Sequence, residues 1–178
     1  MKKPNMPFLQ RTPGPTMKRK SLQGNLCAIA RALDSIGDWW SLLIIRDAAA
    51  GLGRFSEFQR SLGIPKNILS ARLKAMTEQD IMEVAPAADG SAYQEYVLTQ
   101  KGEALLPIIV ALGQWGAEYL FEPGELGSIP LDAKKKRPLK KLEMRSEDGR
   151  LLHPKDVLVP RLQVMNQSRS LTEAEKIE

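Results

Sequence analysis

The sequence predicts a mainly α-helical domain with one small β-hairpin, and three observations predict it. Apolar residues recur at helical spacing in five blocks between Leu26 and Tyr119. Between the fourth and fifth blocks the apolar period shifts toward two, the mark of short strands. Gly, Pro or a capping residue stands at the block boundaries, where helices must start or stop.

In the first helix Leu26, Ile29, Ala30, Leu33 and Ile36 recur, and Gly37 supplies the stop. Asp38 can cap the next start, and the run from Trp39 to Ile45 is apolar on nearly every side, as in a helix at the centre of a small domain. That helix ends near the Gly51 and Gly53 turn. Ser56 followed by Gln59 reads as a capping box for a short third helix, which carries Phe58 and Leu62 inward and ends at Gly63. Pro65 then suits a first helical position, and Leu69, Leu73 and Met76 continue at i, i+4 and i+7. Two helices joined by so tight a Gly-containing turn form a helix-turn-helix, whose second helix enters the major groove of DNA.

Met82 and Val84 then predict one short strand and Tyr96 and Leu98 another, with Pro86 and Asp89-Gly90 in the loop between them. This hairpin is the wing, so the fold class is a winged helix-turn-helix. Thr99 can cap a long last helix whose Leu105, Ile108, Ile109, Leu112, Trp115 and Tyr119 form one apolar stripe. The stripe exceeds what a small core can cover, and its expected partner is a second copy of the chain. Leu105, Ile109, Leu112 and Trp115 are the candidate dimerisation residues.

The expected organisation is a disordered basic tail over residues 1–20, a DNA-binding and dimerisation domain over 21–120, a linker over 121–137, and a small β-containing extension with its tail over 138–178. Residues 163–178 are expected to be disordered.

Composition narrows the function. Lys and Arg outnumber Asp and Glu by 26 to 21, which suits an anionic partner. A single cysteine permits no intramolecular disulfide and points to a reducing cytoplasm. No apolar run approaches the roughly 20 residues a bilayer needs. Catalysis is poorly provided for: the one histidine, His153, sits in a polar Pro-flanked segment, and neither a metal-ligand cluster nor a Gly-rich phosphate loop is present. The sequence therefore predicts no enzyme, cofactor or metal.

Many ordered matches resemble one family. Cys27 ahead of Ala30-Arg31-Ala32-Leu33, then Ile36-Gly37-Asp38, Trp40, Leu42-Leu43-Ile44, Arg46-Asp47 and Gly51, are similar to the opening of HxlR-type transcriptional regulators. Arg54-Phe55, Glu57-Phe58, Leu62-Gly63-Ile64, Asn67-Ile68-Leu69, Arg72-Leu73-Lys74, Tyr96-Val97-Leu98-Thr99, Gly102 and Leu105 through Trp115-Gly116 resemble the rest. The resemblance implies a winged-helix fold, dimers built from the first and last helices (hence Leu26 and Ile29), and operator binding, often as a repressor. It also implies a redox-sensing reading of Cys27, to which Arg31 could lend thiolate character. The residue's own chemistry equally allows a small apolar group packed between helices. One departure stands out: the wing carries Glu83, Asp89 and Glu95, with no Lys or Arg between Lys74 and Lys101.

With Leu69, Leu73 and Met76 facing the core, Asn67, Ser70, Ala71 and Lys74 fall on the opposite side of their helix, where side chains of these types can read base edges. Arg54 and Lys66 lie at the ends of the two-helix unit and are candidate phosphate contacts. Arg72 is a further phosphate candidate, though its angle suits holding a carboxylate first. Arg46 and Arg60 rank below these. The expected function is a sequence-specific regulator, a repressor acting as a homodimer on an inverted-repeat operator in double-stranded DNA, with a small molecule or oxidant as candidate effector. The alternative is a winged-helix protein-interaction module without specific DNA binding.

Overall fold

The computed structural model of the protein describes residues 21–22, 25–122, 124–125 and 129–160. The tails expected over 1–20 and 163–178 lie outside the described residues. Helices α1 (Ala28–Ile36), α2 (Trp39–Ala49), α3 (Phe55–Leu62) and α4 (Lys66–Glu78) precede strands β1 (Met82–Pro86) and β2 (Gln94–Leu98). Helices α5 (Gln100–Glu103) and α6 (Leu106–Tyr119) follow, and then a minimal hairpin of β3 (Met144–Arg145) and β4 (Leu151–Leu152).

The core gathers one face of nearly every element. Ile36 of α1, Ile44 and Ile45 of α2, Phe58 of α3, and Leu69, Leu73 and Met76 of α4 are buried together with Ile64, Ile81 and Met82. Asp38 caps α2, accepting from the Ser41 backbone N–H at 3.0 Å. Gly63 takes the left-handed conformation, φ +61°, that closes α3 and lets α4 begin within three residues. The wing strands pair antiparallel, Met82 opposite Leu98 and Val84 opposite Tyr96.

Three local expectations need correction. The cap of α3 sits two residues earlier than Ser56: Glu57 accepts from the backbone N–H groups of Gly53 and Arg54, at 3.0 and 2.9 Å, while Ser56 lies inside the helix. Those two bonds hold the Glu57 carboxyl below its usual pKa. Pro86 ends β1 opposite Gln94 instead of lying in the loop. The last helix is interrupted: Thr99 does cap, accepting from Gly102 N–H at 3.2 Å, but it caps only the single turn of α5. Pro107 has no N–H to give to Glu103, so the chain restarts as α6.

Gly102 lies so close to the wing base that an added Cβ would stand 2.2 Å from the Ile81 carbonyl oxygen. That oxygen accepts from Thr99 N–H at 3.1 Å, so it is not free to retreat. Gly102→Ala is therefore expected to destabilise the fold more than Gly63→Ala, whose left-handed backbone costs about 1–2 kcal/mol. Urea unfolding of the two variants checks the order, and equal losses would mean that the Ile81 contact yields at little cost.

Candidate nucleic-acid interface

Helix α4 is divided cleanly along its length. Leu69, Leu73 and Met76 are at most 1% exposed, while Lys66, Asn67, Ser70, Ala71, Lys74 and Glu78 are all exposed. The structure thus brings the four candidate base-reading residues, Asn67, Ser70, Ala71 and Lys74, onto one outward face. Lys74 lies 3.8 Å from Glu78, an exposed pair too weak to hold the lysine against a stronger anion.

The rotation of this face is set from below. Arg72 Nε stands 3.2 Å from Asp38 Oδ1, an ionic contact without good hydrogen-bond alignment. Asp38 therefore serves two helices, capping α2 and anchoring α4. The sequence suggests each half of this pair, a cap at Asp38 and a carboxylate-holding Arg72, but carries no signal that joins them.

Arg54 is engaged by the wing through its Nε and Nη2. Its Nε lies 3.2 Å from Glu95 Oε1, its Nη2 bonds Asp89 Oδ2 and lies 3.3 Å from Ser91 Oγ, and its guanidinium carbon stands 5.2 Å from the Tyr93 ring centroid. Two carboxylates raise the guanidinium pKa further. Asp89 is in turn held down to about 2, first by hydrogen bonds from Ser91 and then by Arg54. Because this folded-state value lies below that of a free carboxyl, the wing's ion pair is intact above about pH 4 and is lost only as pH falls toward 2. Gly53, next to Arg54, accepts from Tyr96 N–H at 2.8 Å and so ties the α2–α3 turn to β2. Tyr93 is a participant that sequence reasoning missed, since a lone aromatic in a hairpin loop carries no periodic signal.

The candidate dimerisation residues separate into two groups. Leu26, Ile29, Leu112 and Trp115 are exposed, whereas Leu105 and Ile109 pack against the core of their own chain. The exposed set extends to Leu33 on α1 and to Ile108 and Tyr119 on α6. Cys27 is half-buried at the start of α1, its backbone N–H bonded to Asn25 Oδ1 at 2.8 Å. Arg31 Nε donates to the Asn25 carbonyl. Among the described residues no cluster could hold a metal ion, and no helix is long and apolar enough to cross a membrane.

Comparison with known proteins places this geometry. The model of HxlR-like helix-turn-helix proteins matches residues 35–123. The uncharacterized HTH-type transcriptional regulator Rv3095 of Mycobacterium tuberculosis is 42% identical over 96 residues, 54% of this chain and 61% of that protein, so the match spans less than two thirds of that relative. YvaP of Bacillus subtilis, also an uncharacterized HTH-type regulator, is 30% identical over 55% of this chain and 93% of its own length. The crystal structure of PA1607, a candidate transcription factor, matches with a TM-score of 0.72 at 47% identity, covering 79% of this chain and 98% of that one. Residues 1–123 could not supply that coverage alone, so the likeness takes in part of the extension beyond α6. The chain belongs to the HxlR-like helix-turn-helix family of transcriptional regulators.

Proposed function

We propose that the chain is a sequence-specific DNA-binding repressor, acting in the cytoplasm as a homodimer on an inverted-repeat operator. The observation that carries this reading is the outward face of α4, where Asn67, Ser70, Ala71 and Lys74 stand together on a helix anchored by its buried side. Asn67 suits adenine through paired hydrogen bonds, Lys74 guanine or phosphate, and Ala71 a thymine methyl. Lys66, exposed at the start of α4, is assigned to phosphate. Arg54 is assigned a positioning role: it holds the wing through Asp89 and Glu95 and does not itself bind phosphate.

The exposed stripes on α1 and α6 support the dimer. Ile29 and Leu33 on α1, with Leu26 just ahead of it, and Ile108, Leu112, Trp115 and Tyr119 on α6 are exposed, and so much apolar surface calls for a partner. A two-fold dimer sets half-site centres about 34–36 Å apart, or a multiple of that. The acidic wing is the one feature favouring a protein-interaction module instead, and failure to distinguish operator from random duplex would favour that reading.

Four experiments test the proposal. Asn67→Ala should cost about 1–3 kcal/mol per half-site on operator and little on random duplex, whereas Lys66→Ala should weaken both and reduce the salt slope by about 1. Arg54→Ala should weaken binding with the salt slope unchanged; a flatter slope would return Arg54 to the phosphate contacts. Ile108→Glu combined with Trp115→Glu should give folded monomers in sedimentation, since both side chains are exposed in the single chain. A wild-type protein that is monomeric at micromolar concentration would remove the dimer. Cys27→Ser should match wild type on operator in reducing buffer, and a response of wild type to diamide that the variant lacks would identify Cys27 as a sensor.

A further inference from the structure

An open cavity of about 720 Å³ lies between α2, α6 and the segment 129–131, a size typical of sites for small organic ligands. Leu42 and Leu43 line it from α2, Leu106 and Val110 from α6, and Ile129 and Leu131 from the facing strap. The strap is held in place without filling the space behind it. Leu131 bridges to Pro138, Gln114 of α6 donates to Lys140 O at 3.0 Å and accepts from Leu142 N–H at 2.9 Å, and Lys141 pairs with Glu118.

One ion pair, Arg46 with Asp47, borders this apolar space. Arg46 gives its Nε and one Nη2 hydrogen to Asp47 Oδ1, at 2.9 and 2.7 Å. A guanidinium carries five N–H donors, so three remain unspent. Asp47 is buried, with its side chain 6% exposed, and its Oδ2 has no partner. The buried carboxylate thus fixes the guanidinium in one orientation, while Arg46 itself stays half-exposed. In sequence the strap continues into the basic run Lys134, Lys135, Lys136 and Arg137.

We infer that this cavity binds a small organic anion, whose apolar ring or short chain lies between α2 and the strap and whose carboxylate sits on the open edge of Arg46. An arginine fork pre-oriented by a neighbouring acid matches a carboxylate in two parallel hydrogen bonds. Binding here does not depend on whether α4 reads DNA, and it is measured without DNA.

The test uses the full chain with 2-naphthoate and its neutral counterpart 2-naphthalenemethanol, followed by calorimetry and ligand-observed NMR. Naphthoate should bind at least about tenfold more tightly than the alcohol, the factor that one modest charge-assisted contact supplies. Arg46→Gln should erase that preference. Gly113→Leu should block both probes: a Cβ at Gly113 stands 3.6 Å from Pro130 Cδ, an ordinary contact, and the rest of the side chain enters the cavity. If Arg46→Gln fails to fold because it strands Asp47, the wild-type preference and Gly113→Leu still decide. No binding of naphthoate, as expected if a second copy of the chain covers the cavity, would overturn the inference. So would equal affinity for the two probes, or binding undiminished in Gly113→Leu.

Discussion

Leu69, Leu73 and Met76 form a buried seam along α4, and each such side chain taken out of water stabilises the fold by about 1.5–3 kcal/mol. The seam does more than hold the helix down. Successive residues turn by about 100°, so rotating α4 by one position would expose part of the seam and swing Asn67 and Lys74 away from the outer face. The burial that stabilises the domain therefore also specifies which side chains face outward. The Arg72–Asp38 contact reinforces the same rotation from a second point, since Asp38 is fixed by its own bonds to Ser41.

The wing follows a different logic. A hairpin bearing Glu83, Asp89 and Glu95 next to a polyanion would ordinarily repel it, and the repulsion grows at low salt. Arg54 neutralises part of that charge while binding the wing to the N-terminus of α3. The result is a wing fixed in position whose tip keeps a net negative charge, since one guanidinium faces two carboxylates. On the proposed reading, attraction for phosphate rests on α4, where Lys66 and Lys74 are exposed, and not on the wing.

How much of this was legible in the sequence depended on the range of the interaction. Every helix start and stop that rests on local chemistry could be read within a residue or two, as at Asp38, Gly37, Gly63 and Pro65. The outward face of α4 followed from the spacing of three apolar residues. The α3 cap was misplaced because Ser56 and Glu57 are adjacent and both are plausible capping partners; only the backbone path through Gly53 and Arg54 decides between them. The break between α5 and α6 was legible in Pro107, yet the continuous apolar stripe outweighed it. Pairings across 34 residues in Asp38–Arg72, or 35 in Arg54–Asp89, leave no periodic trace, and the same holds for the cavity, whose strap lies far from α2 in sequence.

Helix α2 joins these features. Asp38 at its start anchors α4, while Arg46 and Asp47 near its end border the cavity. The two ends are separated by nine residues, about 14 Å along a continuous helix. Its middle is locked into the core by Ile44 and Ile45, so it moves as a rigid element or not at all. A ligand at the cavity alters DNA binding only if it binds one position of α2 more tightly than another, and the change in operator affinity can be no larger than that difference. The strap and α6 form the cavity's other walls, and α6 also carries the exposed stripe assigned to the second copy. The cavity therefore shares a helix with each feature on which the proposed operator binding rests, α2 with the anchor of α4 and α6 with the exposed stripe.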